Sequence, residues 1–177
     1  MSDTQVNGND LPQEPVSPII PPETLNEDQH KAYVLMEEFC AASGLGATAV
    51  VRSVQKPYIS IELIGGDVRA TFGKLGQGLD ALQFLCNTIV SRRVGSDVRI
   101  LLDAEGYRER RAESLRIRAI ELASEVKLRK EEAELEPLPA HERRIIHAAL
   151  ADDPEISTYS EGDEPARRVV IAPRTAN

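Results

Sequence analysis

Apolar residues between positions 27 and 44 recur at Ala32, Leu35, Phe39 and Ala42, the spacing of one helical face, and Gly44 follows as a stop. Beyond it "ATAVVRSV" and "YISIELI" have strand character, with Ile59, Ile61 and Leu63 on one face of the second run. Gln55, Lys56 and Pro57 join them, which predicts an antiparallel pair. "GGD" then turns the chain into "FGKLGQG", and the stretch after it predicts a helix with Leu79, Leu82, Cys86 and Ile89 on one face, closed by Gly95 and Ser96. "DVRILLD" alternates Val98, Ile100 and Leu102 as a third strand. A long helix is predicted from Tyr107 to about Glu134, where Pro137 and Pro139 break the chain. "AHERRIIHAALA" predicts a further helix with Ile145, Ile146, Ala149 and Leu150 as its buried stripe, and "ISTYS" and "ARRVVIA" are short strands around the turn "EGDEP". The order is α-β-β-loop-α-β and then α-α-β-β, two small α+β units sharing or abutting the long helix.

The stretch before these elements, "MSDTQVNGNDLPQEPVSPIIPPETL", lacks such periodicity and is rich in Pro, Asn and acids, so a disordered acidic tail is predicted there. Charge sharpens that division. The whole chain carries −8, but residues 1–30 hold six acids and no Lys or Arg, which leaves −2 for residues 31–177. The folded part is nearly balanced, so an acidic total does not exclude nucleic acid and local patches decide. Cys40 and Cys86 lie in apolar helical patterns and the three histidines lack metal-ligand spacing, which predicts a reduced, cytoplasmic protein without a zinc site, metal or other cofactor. The N-terminus has no signal-peptide pattern and no apolar run is long enough to span a bilayer, so neither secretion nor membrane insertion is expected.

The glycine-rich stretch carries the first chemical signal. A P-loop would end in Gly-Lys-Ser or Gly-Lys-Thr, whereas Gln77 and Gly78 stand where the magnesium-binding hydroxyl belongs. A dinucleotide fingerprint would space its glycines differently and place an acid after the following strand. Gly73-Lys74-Leu75-Gly76 instead fits the GXXG loop of a KH domain, in which bare backbone approaches the sugar and phosphate of a single strand. Missing Cβ atoms admit the ligand, the N–H groups and dipole of the following helix favour phosphate, and Lys74 adds a positive charge. The four letters alone match many ordinary turns; the strand pair before them and the helix and strand after them give the match its weight.

"HERRIIHAAL" is the second signal. Arg143 and His147 are four residues apart, about 40° in helical projection, hence on one face. Arg143 offers a fork of donors to a phosphate and His147 a ring for hydrogen bonding or stacking, although a half-buried structural histidine would read the same way. No nucleophile elbow links Ser157, Ser160, Asp152 or Asp153 to His147, and an enzyme is not expected. "GYRERRAESLRIR" gathers Arg108, Arg110, Arg111, Arg116 and Arg118 at a helix start, where the dipole does not favour cations. Either they serve a ligand or they form a solvated face balanced by Glu109 and Glu113. Arg92, Arg93, Arg167 and Arg168 extend the basic positions.

With both signals in place, residues 30–173 resemble the Jag (SpoIIIJ-associated) family of bacterial proteins. The likeness is carried by "GKLGQGLDALQFLCNTIV", "LDAEGYRERR", "ERRIIH" and "STYSEGDEPARRVVIAP", in that order. The resemblance implies a type II KH domain (α-β-β-α-α-β with a three-stranded sheet), then a small α/β R-three-H domain, named for its Arg-x-x-x-His signature, the two joined by a long helix. It divides the chain into the tail at residues 1–27, the KH domain at 28–106, and the long helix with the R-three-H domain at 107–177. It also implies a non-enzymatic cytoplasmic protein that binds single-stranded nucleic acid, chiefly RNA with single-stranded DNA as the other strand type. Such a protein would be a post-transcriptional regulator linked to cell-envelope growth or division, sometimes paired with a small single-domain KH protein. The nucleic-acid-binding set carried over comprises Gly73, Lys74, Leu75 and Gly76 in the first domain and Arg108, Arg110, Arg111, Arg143, Arg144, His147 and Arg168 in the second. Leu75 departs from the frequent second basic residue of that loop, and the acidic tail stands where many members have a separate domain. The competing expectation is a protein-interaction module, in which a degenerate KH surface around Leu75 docks a partner chain or dimerises.

Overall fold

The computed structural model of the chain describes residues 18–94 and 97–174. They fall into two compact units that divide between Glu105 and Gly106, each with its own three-stranded sheet.

The first unit begins earlier than the sequence suggests. The Ile20 amide donates to the Val51 carbonyl at 2.8 Å, and a single 3-10 turn follows at Pro22–Thr24. Within the stretch expected to be a tail, Ile20 thus bridges the sheet edge and Pro22–Thr24 form a turn. A composition average over an acidic stretch hides a single half-buried Ile that gains a backbone partner. Residues 1–17 of that tail lie outside the described residues.

Helix α1 spans Glu27–Ser43. Its start is a capping box, with Asn26 Oδ1 accepting from the Gln29 amide at 2.9 Å and Gln29 Oε1 accepting from the Asn26 amide at 3.2 Å. Gly44, at φ 70°, ends it. The buried face is Ala32, Tyr33, Met36 and Cys40, so the helix is rotated from the predicted stripe and Ala42 is exposed. Tyr33 can turn inward because its hydroxyl donates to Glu37 at 2.6 Å.

Strands β1 (Thr48–Gln55) and β2 (Tyr58–Ile64) pair antiparallel as predicted, with a register shift between Val51 and Ser53. β3 (Arg99–Ala104) runs parallel to β2, from Tyr58↔Arg99 to Leu63↔Ala104. The central strand therefore buries Ile59, Ile61 and Leu63 completely. Helix α2 (Gln77–Arg93) buries Leu79, Cys86 and Val90, whereas the predicted Ile89 is 39% exposed. Gly95 and Ser96, the predicted close of this helix, lie outside the described residues. The helix expected before the glycine loop is here one 3-10 turn, Val68–Thr71.

On β3, Ile100, Leu102 and Ala104 carry the amides that turn away from β2. Asn87 Oδ1 accepts from the Ile100 amide at 2.7 Å while Asn87 Nδ2 donates to the Ile100 carbonyl at 2.8 Å. Gln83 Oε1 accepts from the Leu102 amide at 2.9 Å and Asp103 Oδ1 from the Ala104 amide at 2.8 Å. Gln83 and Asn87 lie one helical turn apart on α2, so one helix row satisfies an edge that would otherwise present bare polar backbone.

The second unit starts with α3 (Tyr107–Arg129), whose inner row is Ala112, Leu115, Ala119, Leu122, Ala123 and Val126. The helix stops short of the predicted Glu134 because Lys130 takes φ 59° and the chain then extends into β4 (Ala133–Glu134). Helix α4 (Ala140–Ala149), β5 (Ile156–Glu161) and β6 (Arg168–Pro173) complete the unit, with sheet order β4-β6-β5 and all pairings antiparallel. β6 is central and buried at Val169 through Ala172. Ile146, Leu138 and Ile156 form the core with it, while Ile145 and Ala149 of the predicted stripe are only half-buried.

Candidate nucleic-acid interface

The glycine loop folds on left-handed backbone: Gly73 has φ 61°, Leu75 φ 55° and ψ 31°, and Gly76 φ 75°. The Gly78 amide donates back to the Phe72 carbonyl at 3.0 Å, which closes the loop. A Cβ on Gly73 would lie 2.9 Å from the Gly78 nitrogen, and one on Gly78 would lie 2.4 Å from the Thr71 carbonyl oxygen. At these two positions glycine is thus required by the loop's own close packing, a reason that reading the loop for ligand approach alone does not supply. Gly76 caps α2 without a side chain, and of the first-turn amides that of Gly78 is taken by the Phe72 carbonyl. Leu75 adopts the same left-handed region at a cost of about 1–2 kcal/mol. The loop backbone thus suits its glycines and holds Leu75 alone in a conformation that its side chain does not favour.

In the second unit Arg143 and His147 do lie on the same helix, and both are engaged. Arg143 Nη1 donates to the Leu138 carbonyl and Nη2 to Glu164 Oε1, each at 2.7 Å, with the residue buried. His147 sits between two hydroxyls of β5, Nδ1 with Thr158 Oγ1 at 2.8 Å and Nε2 with Ser160 Oγ at 2.9 Å. Burial first, and the Arg143 charge second, hold its imidazole below the ordinary histidine range. Thr158 and Ser160 are two apart on a strand and share its helix-facing side. Arg144, next to Arg143 in sequence, is exposed.

The basic residues at the start of α3 divide. Arg111 makes a two-point ion pair with Glu142, Nε to Oε1 at 2.8 Å and Nη2 to Oε2 at 3.1 Å, with the Glu142 side chain only 3% exposed. Arg108 is half-buried and Arg110 exposed in the first turn. Arg116 pairs with Glu109 and Glu113, the balanced face that the sequence offered as an alternative. Arg168 pairs with Glu134 at 2.6 Å across β6 and β4. Glu142, Glu164, Thr158 and Ser160 are the site residues that sequence reasoning missed. Only the hydroxyl pair left a signal, its alternation on a strand.

A family model for the R-three-H domain matches residues 113–173. An RNA-binding protein KhpB of Clostridium symbiosum is 38% identical over 150 residues, covering 84% of this chain and 68% of that protein. The chain belongs to the KhpB (Jag) family. The KhpB match is longer than the second unit, so it takes in the glycine-loop unit as well. A KhpB of Lactiplantibacillus plantarum is 41% identical over 102 residues, 58% of this chain and 32% of that protein, and one of Bacillus subtilis is 36% identical over 129 residues, 72% and 62% respectively. Both are likewise named RNA-binding protein KhpB. Among the described residues of this KhpB-family chain no helix is long and apolar enough to cross a membrane.

Proposed function

We propose that the chain binds single-stranded RNA through the loop at Gly73, Lys74, Leu75 and Gly76, with Arg143, Arg144, His147, Arg108, Arg110 and Arg168 as further contacts in the second unit. The supporting observation is the loop itself: left-handed backbone at Gly73, Leu75 and Gly76 leads into a helix whose N-cap residue, Gly76, has no side chain. Amides at such a helix start are suited to phosphate oxygens, and a KH-type loop clamps about four nucleotides. The KhpB relatives, each described as RNA-binding, support the choice of RNA. Two weak sites on one chain raise overall affinity without new contacts. The Ser160–His147 contact has Thr158 rather than a carboxylate on the other ring nitrogen, which fits a binder better than a hydrolase. We extend the proposal to a cytoplasmic post-transcriptional regulator tied to cell-envelope growth or division, with a small single-domain KH protein as a partner.

A second reading, docking of a protein, is favoured by one observation: Phe84 is 71% and Leu85 56% exposed on α2. Fluorescence binding to single-stranded RNA over a range of salt separates the two. RNA contact should give a log–log slope of about −0.7 for each neutralised phosphate. Gly76→Asp should weaken binding by opposing phosphate sterically and electrostatically. A flat slope, or unchanged affinity in a folded Gly76→Asp variant, rejects the RNA reading.

A further inference from the structure

The two contacts that occupy Arg143 differ in kind. Leu138, whose carbonyl takes Nη1, is 2% exposed and belongs to the core beside α4. Glu164, which takes Nη2, keeps 59% of its side chain in water, while the Arg143 side chain is 10% exposed. Glu164 lies in the loop between β5 and β6, where residues 161–166 are all exposed. That loop can shift without opening the core. The Leu138 anchor would hold the guanidinium in place meanwhile.

A carboxylate and a phosphate make the same demand of a guanidinium: paired acceptor oxygens for its N–H donors. We propose that Glu164 is an internal competitor at this position, its carboxylate holding the Arg143 Nη2 donor until a phosphate of single-stranded RNA takes its place. The proposal rests on the RNA-binding reading above. An ion pair with one partner mostly in water is weak and screened by salt, so a phosphate of the strand can displace it. The exchange sets affinity: every strand that reaches Arg143 must first release Glu164.

Salt dependence gives the exchange a signature that a merely structural contact lacks. When phosphate replaces Glu164, the strand releases condensed counterion but the freed carboxylate gathers cation from solution. Arg143 then adds little to the salt slope of the natural chain. With Glu164 neutralised, the same contact should steepen the log–log slope by about 0.7.

The test uses the full chain, a fluorescein-labelled single-stranded oligouridylate, and salt from about 50 to 200 mM. Glu164→Gln is compared with Asp163→Asn, which changes net charge equally in the same loop at a residue with no ion pair among the described residues. Thermal melting confirms that each variant is folded, and Glu164→Ala serves as a second removal of the carboxylate. Glu164→Gln should bind about two- to fivefold tighter than Asp163→Asn, with the steeper slope. Both gains should vanish when Arg143→Ala is added. Equal or weaker binding by Glu164→Gln, or a gain that persists with Arg143→Ala, overturns the proposal. A natural chain that binds the oligouridylate, loses it in Gly76→Asp and yet shows no Glu164 effect refutes only the competitor; a chain that binds no RNA refutes both readings.

Discussion

Replacing Arg111 with Ala tests whether the basic start of α3 serves ligand or fold. Arg111 and Glu142 are joined by two hydrogen bonds at 2.8 and 3.1 Å, with side chains 20% and 3% exposed. At an effective dielectric of 20, opposite charges about 3 Å apart attract by roughly 5 kcal/mol, most of which offsets their removal from water. Removing Arg111 abolishes that offset and leaves the Glu142 carboxylate buried without its cation. The expected loss is about 3–5 kcal/mol in the second unit, a large share of what a domain of this size possesses. The reverse change, Glu142→Gln, should cost less, because Arg111 retains water and has Glu136 within 4.0 Å. Replacing both with leucine should recover most of the loss. Urea-dependent hydrogen exchange followed by mass spectrometry, on peptides from α3 and α4, reads this unit by itself. A folded Arg111→Ala variant within about 1 kcal/mol of the natural chain, but deficient in RNA binding, would refute the argument and return Arg111 to the ligand-contact set.

Two further changes probe the loop and the histidine. Gly78→Ala drives a methyl to 2.4 Å from the Thr71 carbonyl and should cost the first unit about 1–3 kcal/mol by the same exchange measurement; an unaltered unit would contradict the close loop packing. Because His147 is held below the ordinary imidazole range, the unfolded chain binds its proton more readily, so stability should fall as pH drops below about 6.5, until the folded imidazole also titrates. His147→Gln should flatten that part of the pH–stability curve, and an unchanged curve would refute the assignment.

Much of the first unit was legible because β2 and β3 follow a two-residue period. Ile59, Ile61 and Leu63 are the fully buried positions of the central strand, as the alternation indicated. Helix faces were less so: the Leu35–Phe39 and Met36–Cys40 rows of α1 are adjacent, and both are apolar enough to be chosen. The end of α3 left no Gly or Pro to mark it, since Lys130 itself takes the left-handed turn, and a two-residue β4 is too short to show a period. At the candidate site, the four-residue spacing placed Arg143 and His147 on one helix correctly. Their partners were not legible, because Glu164 and Ser160 arrive from residues 21 and 13 positions away, and Glu142 reaches Arg111 across 31. Charge counting alone could not separate an arginine held by a buried acid from one facing solvent.

The row of Gln83 and Asn87 along β3 bears on assembly. A neighbouring chain seeking to extend the sheet past β3 would find its docking amides and carbonyl already claimed, and would have to peel a helix row away before forming its first rung. Growth by strand addition is thereby closed on that flank, which guards a small sheet against runaway stacking and leaves side-chain surfaces as the means by which the β3 flank can meet another molecule.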